Sequence, residues 1–212
     1  SQDYGRIEYA YHLMARAAGI HMTDCHLLTE SDRAHFMTQR FDREGAQTRH
    51  HMQTLCAMAH VDYKKKGSNA YAQLFMTLKA LRLPASALAE AFRRMAFNVA
   101  GKNCADHSKN FSFILRQGTG QWDLAPAYDV TFAHNPVGEW TSQHLMSVNG
   151  KFKDIGKDDL LAEAERFAIG GAESILKEID QAIAQWDTFA GQAGVTASVA
   201  THIAKHHITV SR

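Results

Sequence analysis

Long hydrophobic runs are missing from this sequence. No stretch of about 18 apolar residues occurs, so a membrane-spanning helix is not expected. No leader pattern opens the chain. Charge of either sign is not in excess, with 23 Lys and Arg against 22 Asp and Glu and a net charge of +1. Bulk electrostatics therefore gives no reason to expect a nucleic-acid or membrane surface as a partner. Cysteine is scarce, and its three copies (Cys25, Cys56, Cys104) are widely spaced. They form neither a CxxC zinc signature nor a disulfide framework, which suits a reducing cytoplasm. Thirteen histidines are present, but none sits in an HExxH. There is no internal repeat and no low-complexity linker.

What remains is ordinary globular material. At 212 residues, 45% apolar and 21% charged, the chain can bury a substantial core as one large domain or two small ones. After a short polar opening (SQDYGRIE), the spacing of Tyr9, Leu13 and Ala17 predicts a helix over 9–18, with Gly19 as its left-handed cap. Strands are expected at 25–28 and 34–41, joined by a turn at Ser31–Asp32 and followed by a charged turn at 42–45. From Arg49 to Ala100 the pattern turns helical, with Met52, Leu55, Cys56 and Ala59 at a 3.6-residue period. That region includes a solvated basic turn at 64–67 and a helix over 68–81 that buries Tyr71, Leu74, Phe75 and Leu78. A further helix starts at Pro84. Beyond residue 129 the pattern predicts a strand at 144–148 and a tight turn at Asn149–Gly150. Helices follow from Asp158, over 174–190 and over 198–207. The pairs His50–His51 and His206–His207 read as surface histidines, and Cys56 and Cys104 as small buried hydrophobes. Trp122, Trp140 and Trp186 read as packing aromatics.

The chemistry concentrates in residues 103–129, NCADHSKNFSFILRQGTGQWDLAPAYD. A polar loop carries a strand (111–115). A turn with Gly118 and Gly120 returns into a second apolar run, which ends in Tyr128–Asp129. Asn110 and Asp129 thus lie near the open ends of one hairpin. An amide oxygen and a carboxylate make a hard-oxygen donor set suited to Mg²⁺, which keeps several waters and takes further ligands from substrate phosphates. Protein kinases place a base Asp five residues before a metal-binding Asn and a second metal-binding Asp one hairpin later. Five residues before Asn110 stands Ala105, and the nearest carboxylate is Asp106. His107 beside Asp106 has no third ligand at a spacing that zinc needs, and reads as an organiser of the loop.

The stretches RFDR (40–43), NCADHSKNFSF (103–113), LAPAYD (124–129) and HLMSVNGK (144–151), in that order, resemble the HipA-like serine/threonine kinases of bacterial toxin–antitoxin modules. The resemblance runs along nearly the whole chain but covers only the C-terminal part of such a protein. The short HipT type of three-component systems looks closer than the long HipA type. It implies an α+β, mostly α fold, a kinase-like C-lobe, with ATP and Mg²⁺ as cofactors. Residues 1–48 would form a hairpin and hinge leading into a helical C-lobe over 49–212, with a catalytic loop at 103–110 and a metal-binding hairpin at 111–129. Gln39, Arg40 and Phe41 would face the adenine, largely through backbone groups. His107, Ser108, Lys109 and Asn110 would line the phosphates. Tyr128 and Asp129 would match the second metal position, with Asn110 and Asp129 as the metal ligands.

Two departures from the family matter. Its loop pattern is Asn–x–Asp–x–His–x–Lys–Asn, and the aspartate position holds Ala105. An alanine methyl neither accepts a proton nor orients a hydroxyl, and losing such a base costs about 10²–10⁴ in rate. The rest of the loop is intact, as an engineered inactivating substitution would leave it; a natural pseudokinase is the rival explanation. Asp106 is one residue late and would point away unless the loop refolds. Second, no Gly-rich loop or strand lysine of the kind that holds kinase phosphates precedes the hinge, so the N-lobe is expected outside this chain. The partners implied are a helix-turn-helix antitoxin of HipB type, with DNA reached only through it, and a small HipS-like N-lobe protein if the system has three components. An aminoacyl-tRNA synthetase is the implied substrate class. A reading from a different class is a catalytically dead module that holds an antitoxin partner.

Overall fold

In the computed structural model, residues 3–31 and 33–212 are described. Asp32 of the expected 31–32 turn and the first two residues of the polar opening lie outside them. Helix α1 (Tyr4–Ala17) begins before position 9 and buries Ile7, Ala10, Tyr11, Met14 and Ala15. The face expected from Tyr9, Leu13 and Ala17 is off to one side, since the first two are half-buried and Ala17 is exposed. The stripe through Ile7, Ala10, Tyr11 and Met14 is broader and carries more apolar area, so it wins the core. The helix ends as expected. Gly19 has φ +79°, its N–H reaches Arg16 O, and the Ile20 N–H reaches Ala15 O, which is a Schellman closure.

Strands β1 (Cys25–Glu30) and β2 (Arg33–Thr38) form the expected hairpin, with Cys25 opposite Thr38. The charged turn is itself a small hairpin of β3 (Arg43–Glu44) and β4 (Thr48–Arg49). The next segment corrects the sequence reading. Residues expected to start a helix form strand β5 (His51–Thr54), and only one helical turn follows, α2 (Leu55–Met58). Short apolar runs fit both periods, and here a partner strand about 60 residues further on decides the conformation. Helices α3 (Tyr71–Ala80) and α4 (Ala85–Ala100) follow as the spacing predicts. Tyr71, Leu74, Phe75 and Leu78 are all fully buried. Helix α4 is apolar on most of its circumference and packs against α3 and a later helix, so it lies at the centre of the core.

Strands β6 (Ser112–Leu115) and β7 (Trp122–Leu124) complete a three-stranded antiparallel sheet in the order β5–β6–β7. The 144–148 stretch is not a strand. It makes isolated bridges only, Ala70 with Ser147 and Val148 with Lys151. Asn149 and Gly150 both take positive φ, 49° and 77°, and reverse the chain so that Val148 and Lys151 exchange backbone hydrogen bonds at 2.9 Å. Helices α5 (Lys157–Phe167), α6 (Ala172–Ile183), α7 (Trp186–Ala193) and α8 (Ala197–Ala204) close the chain. The single helix expected over 174–190 is therefore two. Trp186 is buried, its indole Nε1 donates to Ala200 O at 3.0 Å, and α7 packs on α1. No described helix is long and apolar enough to cross a membrane.

Two histidines read as surface residues are not. His50 is buried, and its Nδ1 accepts from the Gln117 N–H at 3.1 Å. His207 is half-buried, with Nε2 2.9 Å from the Tyr11 hydroxyl, which also bonds Gly101 O. This pair ties the C-terminal segment to Gly101, just before loop 103–110. Burial, and then the neighbouring His206, lower the His207 pKa to about 4. The unfolded chain binds this proton near the ordinary value of about 6.5. The stabilisation is therefore complete above pH 6.5 and is lost as pH falls towards 4. The full swing is on the order of 3 kcal/mol. Urea melts between pH 7 and 4.5 are expected to show this loss, and His207→Gln to flatten it; an equally steep variant would remove His207 as the cause.

Candidate active site

Helix α4 runs directly into loop 103–110, and the local hydrogen bonds explain the loop's course. The Asn103 N–H reaches Asn98 O at 2.9 Å and the Cys104 N–H reaches Ala133 O at 3.0 Å. Ala105 O accepts from the His107 N–H at 2.9 Å and from Asn110 Nδ2 at 3.1 Å. The β6–β7 hairpin then returns over the loop. Buried Arg94 on α4 donates to Ala125 O at 2.8 Å. The Tyr128 hydroxyl bonds Lys109 O at 2.6 Å and Ser112 Oγ.

This return brings the two candidate metal ligands together, with Asn110 Nδ2 2.7 Å from Asp129 Oδ2. Asp129 takes φ +54°, a left-handed conformation that aspartate adopts more readily than most other non-glycine residues. The amide nitrogen of Asn110 is spent on Asp129 and Ala105, so Oδ1 is the atom left for a cation. No described group of three or more His, Cys, Asp or Glu side chains is arranged to hold a metal. Two hard protein oxygens, with the remaining positions left to water and phosphate, fit Mg²⁺ and do not suit zinc.

The other expected residues are placed unevenly around this pair. Phe41 reaches the site, its ring 5.6 Å from that of Tyr128. Gln39 is exposed, and its backbone is engaged with the chain, N–H to Asp24 O at 3.0 Å and C=O from Thr23 Oγ1 at 2.9 Å. The Arg40 guanidinium forks onto Asp42 at 2.9 and 2.7 Å. Lys109 is exposed and lies 4.6 Å from the Tyr63 ring centroid. His107 is half-buried and meets Tyr63 edge-on. Ser108 is fully buried and donates to Asn69 Oδ1 at 3.0 Å, so its hydroxyl faces the interior and not a phosphate cradle.

Asp106 is turned into the core. It is fully buried and accepts three hydrogen bonds, from the Tyr71 hydroxyl (2.8 Å), His144 Nδ1 (2.9 Å) and the Leu145 N–H (2.8 Å). Desolvation lowers the His144 pKa, but the charge and hydrogen bond of Asp106, with a smaller contribution from Cys104, outweigh it and push it up to about 10. The two form a buried ion pair.

Several residues of the site escaped the sequence reading. Asn98 bonds both the Tyr71 hydroxyl and Asn103 at 3.0 Å, continuing the network under the loop. Asn98 and Arg94 carried a signal, as polar residues on an otherwise apolar helix. Glu8 carried none. It sits on α1, and burial and then the charge of Asp129 raise its pKa to about 7. Asn98, Asn103, Asp106, Asn110, Tyr128 and Asp129 line a cavity of about 20 Å³, room for one water and no more; a nucleotide would sit outside it. Asn103 Oδ1 and His107 Nδ1, two residues either side of Ala105, are buried without hydrogen-bond partners.

The model for the HipA-like C-terminal domain matches residues 1–206. Comparison with curated proteins gives no match. Among solved structures, the chain is similar to HipA of Shewanella oneidensis MR-1, determined in complex with HipB and operator DNA. They share 17% identity and a TM-score of 0.76, over 94% of this chain and 53% of that one. It is also similar to the Helicobacter pylori proinflammatory kinase CtkA, at 12% identity and a TM-score of 0.57, over 99% of this chain and 86% of that one. At these identities the likeness is one of fold. The chain spans about half the length of the Shewanella HipA chain.

Proposed function

Because this chain belongs to the HipA-like C-terminal domain family, we propose that it is the C-terminal, metal-binding lobe of a serine/threonine protein kinase toxin, impaired in phosphoryl transfer by Ala105. The carrying observation is the 2.7 Å approach of Asn110 to Asp129 across the ends of one hairpin, on the loop whose base position is alanine. Asn110 Oδ1 and the Asp129 carboxylate would hold Mg²⁺, which when bound neutralises phosphate charge. Phe41 and Tyr128 would wall the nucleotide on the hinge side. With no carboxylate at 105, nothing in the loop takes the proton of a substrate hydroxyl, since Asp106 is turned inward. The fold likeness to a HipA bound to HipB and operator DNA supports a helix-turn-helix antitoxin as partner, with DNA reached through it, in the cytoplasm. A small HipS-like lobe and an aminoacyl-tRNA synthetase substrate rest on the family alone.

The test is titration with a fluorescent ATP analogue on the chain rejoined to its N-lobe. Mg²⁺-dependent binding is expected, weakened about ten-fold or more by Asp129→Ala or Asn110→Ala, the loss of one charge-assisted metal contact. Binding that is indifferent to Mg²⁺ and to both substitutions would instead favour a partner-binding module with no nucleotide site.

A further inference from the structure

A second cluster is built on loop 103–110 and shares Asp106 with the cavity beside the Asn110–Asp129 pair. Cys104 Sγ is 3.9 Å from His144 Nε2 and 3.7 Å from His134 Nδ1. His144 Nδ1 is in turn 2.9 Å from Asp106 Oδ2. The order is carboxylate, imidazole, thiol, the relay that activates cysteine nucleophiles. Cys104, His144 and Asp106 are all buried, at 2%, 3% and 0% exposure. Cys104, His134 and His144 nevertheless form one wall of a cavity of about 200 Å³, with Lys102, Gln143 and Lys153 among its other lining residues. That volume admits a small reagent as well as water. Cys104 is the small buried residue the sequence predicts, and its thiol is held against an imidazole–carboxylate pair beside this cavity. The other two cysteines lack this setting. Cys25 bonds Thr23 O and the Thr38 hydroxyl, and Cys56 bonds the Thr54 hydroxyl.

We propose that Cys104 is a modification site, a reactive thiol for peroxides and small soft electrophiles entering through this cavity, and that an adduct on it disturbs the loop that carries Asn110. With hydrogen peroxide, the Cys104 proton passes to solvent in the cavity, the protonated His144 holds the thiolate through Nε2, and the sulfur attacks one peroxide oxygen. An S–O bond forms and the O–O bond breaks. The departing hydroxide takes up the proton that the thiol released and leaves as water. Sulfur is oxidised by two electrons to the sulfenic acid, and the peroxide is reduced. The coupling to the loop is direct. The Cys104 N–H holds Ala133 O, and the next residue, Ala105, supplies the carbonyl that Asn110 grips. An adduct must displace either the histidines or this backbone.

Peptide mapping by mass spectrometry after brief iodoacetamide treatment of the chain at pH 7 tests this, with Cys25 and Cys56 as internal references. Cys104 is expected to react about ten-fold or more faster than Cys56, although Cys56 is the more exposed, because the imidazole beside the Cys104 sulfur outweighs access. Peroxide followed by dimedone is expected to label Cys104 first. His144→Gln is expected to bring Cys104 down to the rate of Cys25, with the Cys56 rate unchanged as the check that the variant is folded. Hydrogen exchange over 103–110 is expected to speed up in the alkylated protein while 85–100 stays protected. A Cys104 that reacts more slowly than Cys56 in the unmodified sequence overturns the reactive thiol, and needs no variant to show it. Unchanged exchange over 103–110 after alkylation overturns the coupling.

Discussion

Ala105→Asp is expected to raise phosphoryl transfer by about 10²–10⁴-fold, the contribution of a positioned general base. The assay is Mg²⁺-dependent incorporation of labelled γ-phosphate by the chain rejoined to its N-lobe, with and without the antitoxin. The magnitude follows from the loop as it stands. The Asn110 amide already grips Ala105 O and Asp129, so under the proposed function the metal side needs no rearrangement and the substitution restores the proton acceptor. The half-buried position of residue 105 leaves a carboxylate partly solvated, and so ionised at neutral pH. Asn103 Oδ1 and His107 Nδ1, unpartnered beside it, give the loop polar neighbours for such a group. No gain, with nucleotide binding intact, would mean that position 105 is not the base position and that the chain works as a pseudokinase.

Asp106→Ala is expected to cost about 3–5 kcal/mol in stability, the range for breaking a buried charge pair by removing one member. Three donors lose their acceptor at once: the Tyr71 hydroxyl, His144 Nδ1 and the Leu145 N–H. The protonated His144 would be left alone in the interior. Denaturant melts measure the loss, and pH separates it from simple cavity formation. The folded pKa of His144 is raised, so its contribution is complete below the unfolded value of about 6.5 and is lost as pH rises through about 10. Asp106→Asn removes the charge with little change of shape, so it should lose this alkaline dependence. A cost below about 1 kcal/mol for Asp106→Ala would show that the network is not structural and reopen Asp106 as a candidate base.

The two aspartate-position predictions are opposite in kind, and the sequence alone separated them only by counting. Position 105 lies five residues before Asn110 and position 106 four; that single residue decides which side chain faces solvent and which faces the core. Counting could say that Asp106 was late. It could not say that Tyr71 and His144 were waiting beneath it, because those partners come from residues 35 and 38 positions away. Tyr71 was legible as a buried position on an apolar helix face, but its hydroxyl was not legible as a donor to the loop.

The amino-acid sequence by itself determined the local features. The Gly19 and Asn149–Gly150 reversals follow from residues able to take positive φ. The α3 and α4 helices follow from apolar spacing at 3.6 residues. The hairpin from Ser112 to Leu124 follows from two apolar runs about a turn with two glycines. It also determined that Asn110 and Asp129 lie at the open ends of that hairpin, since the two strands between them are contiguous in the chain. Tertiary structure alone decided what depends on distant segments. Residues 51–54 are a strand because β6 pairs with them, against a helical period. Residues 174–190 break because Trp186 finds its acceptor on α8. Phe41 reaches Tyr128 because the segment after β2 folds back onto the end of the β6–β7 hairpin. Cys104 is activated or inert according to two histidines, 30 and 40 residues further along, that no spacing rule connects to it. Local conformation is set by φ/ψ preference and side-chain period over a few residues. Hydrogen-bond partners and local fields are set by whatever the completed core brings within a few ångströms.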